Sequence, residues 1–423
     1  MALKRTEKKK KRKHTFVAPS HTRGYYRFSK EFPSVTDSEG YRDNDLIVNS
    51  PSKKASVRRR LIALFICIFI VSFCVTTLMF TVSKVPVALS DEPLTGEDEE
   101  KTFYGNSAIY INGSVLSMSS AERVIGNVRY HGMDTVVIDF KDAQGNFYYN
   151  PSINVAADAL TNVGDNAEKI VKEFQSASIR VYARFCMFAD DIYARTNQKE
   201  AAYVTTAAED GTSGQVRTVW YNDGDDSHAW LNPYSQEVQY YLRCCVEDIN
   251  NIGVDGIIFD YVSLPLSYQT AAVQFDGSDD SAPDEAITSF INLLNNTYID
   301  CETAVCVPVD AMLDALKTGT APLIFGSGCD YVIPDARLSL MPENTVVGTH
   351  QYAKPSVSPV EFITEYVTSI KKLAGADTNS VRIMPLIEAS DTSAKEISAL
   401  AGVNNDSFII YSADNNYTNQ NFN

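Results

Sequence analysis

Eight short apolar segments recur between residues 107 and 412 of this 423-residue chain, and stretches of helical periodicity separate most of them. They are SAIYI (107–111), TVVIDF (135–140), IRVYARF (179–185), DGIIFDY (255–261), TAVCVPV (303–309), CDYVIP (329–334), VRIMPLIE (381–388) and SFIIYS (407–412). The intervening stretches with apolar residues at helical spacing are 119–132, 167–177, 233–253, 283–298, 358–375 and 391–402. Near-continuous apolar strands alternating with helices describe a parallel sheet buried on both faces. Eight such units predict a (β/α)8 barrel, an α/β fold, over residues 103–423, with a doubly wound open sheet as the alternative from pattern alone. A barrel would gather its chemistry at the C-terminal ends of the strands.

The first hundred residues have another character. Residues 1–60 carry 17 Lys and Arg against 6 Asp and Glu, whereas the rest of the chain carries 20 against 47. Between the two lies Leu61–Ser83, 23 uncharged and mostly apolar residues, bounded by Arg58-Arg59-Arg60 and Lys84. At about 1.5 Å rise per residue, such a run exceeds a hydrocarbon core of roughly 30 Å. It predicts one transmembrane helix, a retained signal anchor, because 60 residues precede it and no small-residue cleavage site follows. The Lys8–Lys13 run lies before the span and Asp91, Glu92 and Glu97–Glu100 lie after it. The positive-inside rule then puts a disordered basic tail, 1–60, in the cytoplasm, and an acidic linker, 84–102, with the barrel outside the cell. The acidity of the outer part argues against a nucleic-acid partner.

Carboxylates close one apolar strand after another: Asp139 with Lys141 and Asp142, Asp260 with Tyr261, then Asp310, Asp335 and Glu388. A strand buried on both faces has no structural need of them. Glycoside hydrolysis uses two carboxyl groups, one protonating the leaving oxygen and one attacking the anomeric carbon or activating water. Asp260 is the expected nucleophile or base and Glu388 the expected acid, since burial at the end of IMPLIE would raise its proton affinity. Asp139, Lys141 and Asp142 are expected to form a charged rim with Arg184 as counter-ion, able to hold sugar hydroxyls. Tyr261, Trp230 and Asp335 complete the expected substrate contacts; the plain alternative for the aromatics is packing between barrel and helices. Five His and eight Cys show no zinc spacing, and the acidic loops at 222–226 and 276–285 lack the calcium-loop pattern. No metal and no cofactor is expected. Phosphate-loop, dinucleotide and GxSxG motifs are absent from the sequence.

The stretches TVVIDFKDAQGNFYY, IRVYARFCMFADD, WLNPYSQEV (230–238) and GVDGIIFDYVSLP (253–265), in that order, resemble the glycoside-hydrolase-like domain family of bacterial surface proteins. That family is similar to α-amylase-type barrel enzymes. The resemblance places Asp260 and Tyr261 on its fourth-strand Asp and Tyr, while Ser263 stands where the family has Arg. Leu386 and Ala389 stand where it has Trp and Asp. It implies a hydrolase acting on a surface or extracellular polysaccharide, with a polysaccharide or cell-wall glycan as partner. The departures favour the other reading, a barrel that binds glycan without cleaving it.

Overall fold

The computed structural model describes residues 106–423, except 162, 164–165, 208–214, 225–226, 279–280, 376–380, 414, 416, 418–421 and 423. The tail, the Leu61–Ser83 run and the linker 84–102 lie outside the described residues. Among the described residues no helix is long and apolar enough to cross a membrane.

The strands are β1 (Ser107–Ile111), β2 (Thr135–Lys141), β3 (Arg180–Cys186), the hairpin β4 (Tyr203–Ala207) and β5 (Gln215–Val219), β6 (Gly256–Asp260), β7 (Glu302–Val307) and β8 (Tyr331–Pro334). A second hairpin, β9 (Thr345–Val347) and β10 (His350–Tyr352), precedes β11 (Arg382–Ile383), β12 (Leu386–Glu388) and β13 (Phe408–Tyr411). Apart from the hairpins, all strands join one parallel sheet in the order β11-β8-β7-β6-β3-β2-β1-β13-β12. The two ends of that order are neighbours in sequence, so the sheet curls round, consistent with a (β/α)8 barrel.

Both faces are apolar for different reasons. Ala108, Val137, Tyr182, Ile258, Ala304, Ile333, Met384 and Ile409 fill the barrel interior. The alternate residues, among them Ile109, Val136, Ile138, Val181, Ile257, Phe259 and Val305, pack outward against the helices. Gly256 makes room for the Tyr182 ring: a Cβ there would lie 2.8 Å from it. Helix Gln236–Ile252 starts on Ser235, whose side chain accepts the Val238 N–H, and stops at Gly253 with φ 86°.

Two expectations need correction. The seventh strand is not continuous: it breaks at Met384-Pro385, because proline has no N–H to give the ladder. β11 pairs with β8 and β12 with β13, and the Pro385 carbonyl still accepts the Ile409 N–H at 2.9 Å. Val309 does not extend the fifth barrel strand. It opens helix Val309–Thr318, which ends at Gly319 with φ 73° and which the sequence reading passes over. Asp310 consequently sits exposed in that helix's first turn, its carboxylate accepting the Ala311 N–H at 2.8 Å, and not at a strand end.

Candidate active site

At the C-terminal mouth of the barrel, the inward-facing residues of successive strands meet side by side. Arg184 on β3 lies between Asp139 on β2 and Asp260 on β6. Its Nη1 is 2.8 Å from Asp139, its Nη2 is 2.7 Å and its Nε 2.8 Å from Asp260. The phenol of Tyr110 on β1 donates to Asp139, and the Tyr110 ring lies 4.9 Å from that of Tyr411 on β13. Tyr411 carries the guanidinium of Arg337 at 4.7 Å, and Arg337 forks onto Asp335 beyond β8. A chain of polar and ring contacts therefore runs round the rim from Asp260 to Asp335.

Burial pushes the Asp139 carboxyl above its ordinary range, against the pull of Arg184. Burial, followed by Asp139, raises the Tyr110 phenol as well. Burial alone would lower the Arg184 guanidinium, but the anions around it hold it well above its ordinary value. The Oδ1 of Asp260 accepts the N–H of Tyr261, a residue held at φ 53°, in the left-handed region. This fixes the Asp260 carboxylate from both sides, by guanidinium and by backbone. The family's Arg is missing at Ser263, and Arg184 brings a guanidinium to Asp260 from the neighbouring strand instead.

Glu388 ends β12 opposite Tyr411 and is part-exposed. Among the described residues its carboxylate has no hydrogen bond or ion pair, unlike Asp335, which is spent on Arg337. Asp142 turns to its own loop, accepting from the Asn146 backbone and side chain at 2.9 Å and from Tyr148 at 3.0 Å.

Lys141 and Trp230 are not where the sequence reading puts them. A bulge in the β2–β3 ladder aligns Asp139 with Arg184 but Lys141 with Phe185, so Lys141 leaves the inward parity. Its fully buried ammonium lies 2.9 Å from Asp190 and 2.9 Å from the Cys186 carbonyl. Trp230 is 3% exposed, its indole N–H bonded to Asn222 and its ring 5.9 Å from Tyr261. It supports Tyr261 and offers no open face to a sugar. Tyr110, Arg337 and Tyr411 escape the sequence reading, although a signal exists: Tyr110 and Tyr411 stand two residues beyond the inward Ala108 and Ile409.

Among the described residues no group of His, Cys, Asp and Glu is arranged to hold a metal ion. No curated protein matches the chain. Among solved structures it is similar to the glycoside hydrolase domain of PgaB (BpsB) from Bordetella bronchiseptica, 14% identical over 73% of this chain and 94% of that one, TM-score 0.48. It is similar also to the glycoside hydrolase domain of PelA from Pseudomonas aeruginosa, 10% identical over 74% and 96%, TM-score 0.38. An alpha-L-fucosidase from Paenibacillus thiaminolyticus is 10% identical over 73% and 46%, TM-score 0.46. Residues 108–417 match the family described as "Putative glycosyl hydrolase domain", and this chain belongs to that glycosyl-hydrolase-like family.

Proposed function

We propose that the chain is a glycoside hydrolase anchored in the membrane by Leu61–Ser83, its barrel acting outside the cell on a surface or extracellular polysaccharide. The observation that carries this reading is the Arg184 clamp, which brings Asp139 and Asp260 to one guanidinium at the mouth of the barrel. In the proposed mechanism Asp260, oriented by Arg184, attacks the anomeric carbon or takes a proton from the attacking water. Glu388 gives its proton to the leaving oxygen. A group that must lose and regain a proton in each cycle is best left without a fixed ion-pair partner, which favours Glu388 over Asp335. Asp139 and Tyr110 position Arg184 from behind. The anchor rests on the length of the apolar run and the charge asymmetry across it.

The test uses the full-length protein in detergent micelles, with release of reducing ends measured across bacterial and plant polysaccharides. Release by the wild type that disappears in folded Asp260→Asn and Glu388→Gln supports the assignment. Release that survives in Asp260→Asn keeps the enzyme and discards the site. Glycan binding with no release from any polysaccharide would turn the assignment to the binding barrel, the reading that Ser263, Leu386 and Ala389 favour.

A further inference from the structure

The cations at the two ends of the barrel mostly tie separate elements together. Arg184 joins β2 and β6 from β3, Arg180 reaches Glu302 two strands away, and Lys141 reaches Asp190. Arg337 does not. Its ion-pair partner, Asp335, is two residues away in the same loop, with Nη2 at 2.6 Å and Nε at 3.0 Å. A pair so local holds no two parts of the fold together. Its effect is to aim the guanidinium.

The aim is firm. Asp335 is fixed by its own N–H on the Val307 carbonyl at 2.9 Å and by the Tyr366 hydroxyl on its carbonyl at 3.0 Å. The guanidinium carbon lies over the Tyr411 ring, 4.7 Å from its centre, and Tyr411 rests on Tyr110. Asp335 occupies the Nε–H and one Nη2–H. Among the described residues Nη1 makes no hydrogen bond. A desolvated N–H without a partner is costly, so that edge belongs in the 24% of the side chain that solvent reaches. Burial would lower this guanidinium, yet Asp335, Tyr411 and Asp260 keep it above its ordinary value.

We propose that Arg337 anchors the substrate, donating one N–H of Nη1 and the remaining N–H of Nη2 to neighbouring hydroxyl oxygens of a neutral sugar unit beside Asp260. The proposal rests on the glycan-cleaving reading of this mouth and adds its substrate class. Neutral sugars follow from charge: Arg184 is already paired with Asp139 and Asp260, and Arg337 with Asp335, so neither cation is left to balance an anionic sugar. An anionic sugar would meet Asp260 with no spare cation to offset it. Two parallel N–H groups suit a pair of hydroxyl oxygens in a way a lysine ammonium does not.

The experiment is calorimetric titration of the full-length protein with maltohexaose, cellohexaose, laminarihexaose and hexagalacturonate, followed by kinetics on any hexamer that is cleaved. A neutral hexamer should bind, and Arg337→Met should weaken it by about tenfold, with Arg337→Lys between the two. On a cleaved hexamer KM should rise about tenfold with kcat little changed, the mark of lost binding and not of lost chemistry. Near-UV circular dichroism establishes that both variants are folded. Tighter binding of hexagalacturonate, unchanged binding in Arg337→Met, or no binding by any hexamer overturns the proposal. Binding that Arg337→Met weakens, without cleavage in the wild type, keeps Arg337 as the anchor and discards hydrolysis.

Discussion

The barrel carries an arginine–tyrosine–carboxylate network at each end, and the two differ in what they leave over. At the N-terminal end Glu302 accepts from Arg180, Tyr182 and Arg382, while Asn106 accepts from Arg180 and donates to Tyr331 at 2.6 Å. Arg382 lies 3.9 Å over the Tyr331 ring. Several donors there converge on one carboxylate. At the mouth carboxylates outnumber guanidiniums, Glu388 has no partner among the described residues, and Arg337 keeps a spare edge. The residue types are the same. Saturated, they close a barrel end; left short of partners, they can meet a ligand.

The largest test of that contrast is Asp260→Asn, expected to cut turnover on the order of 10³-fold or more while leaving the melting temperature close to wild type. A fall in both would make Asp260 a structural member like Glu302. Next comes Lys141→Met, which leaves Asp190 buried beside no cation. Urea unfolding should show a loss of about 3–5 kcal/mol, with activity per folded molecule retained. Lost activity at unchanged stability would return Lys141 to the rim. Glu302→Gln is expected to cost less, about 1–3 kcal/mol by the same measurement, because the site is partly open to water, and to leave activity alone.

The smallest effect is in pH, and the two ends should show opposite signs. Burial would raise Glu302, but Tyr182, Arg382 and Arg180 hold it below its ordinary 4.5. Its contribution is therefore complete above 4.5 and lost as pH falls through the lower folded value. Asp139 is raised from 3.8 by burial, so its folded form keeps a proton that the unfolded chain has given up. Its ionisation costs stability, a cost absent below 3.8 that grows as pH rises. Melting temperatures of wild type, Glu302→Gln and Asp139→Asn across the acid range should show the wild-type advantage shrinking on acidification for the first variant. For the second it should improve. Parallel curves would remove the distinction between the ends.

Much of this was legible in the sequence because a strand buried on both faces writes itself as an unbroken apolar run, and Asp260, Glu388 and Arg184 mark where such runs end. The Pro385 break was missed, although a missing N–H is a local property that the sequence does display. Position along a strand does not reveal which way a side chain points once the register slips. The bulge beyond Asp139 turned Lys141 from the rim towards the layer between sheet and helices and depends on the partner strand, which the residues around Lys141 do not specify. Arg337 was hidden for a related reason: its role comes from Tyr411, which arrives from the far end of the chain.

The pairing of β1 with β13 has a bearing on how the molecule is made. Ser107–Ile109 lie in register with Phe408–Ile410, and the buried Tyr417 hydroxyl reaches the carbonyl of Tyr110 across that seam. During synthesis β1 leaves the ribosome about 300 residues before its second neighbour exists. Until then one side of β1 is an open row of amide and carbonyl groups, a template for any stray strand. Closure is a late, long-range event and among the slowest kinds of contact to form. A nonsense mutation even a few codons before Phe408 would leave nearly every residue of the rim in place and the ring permanently open.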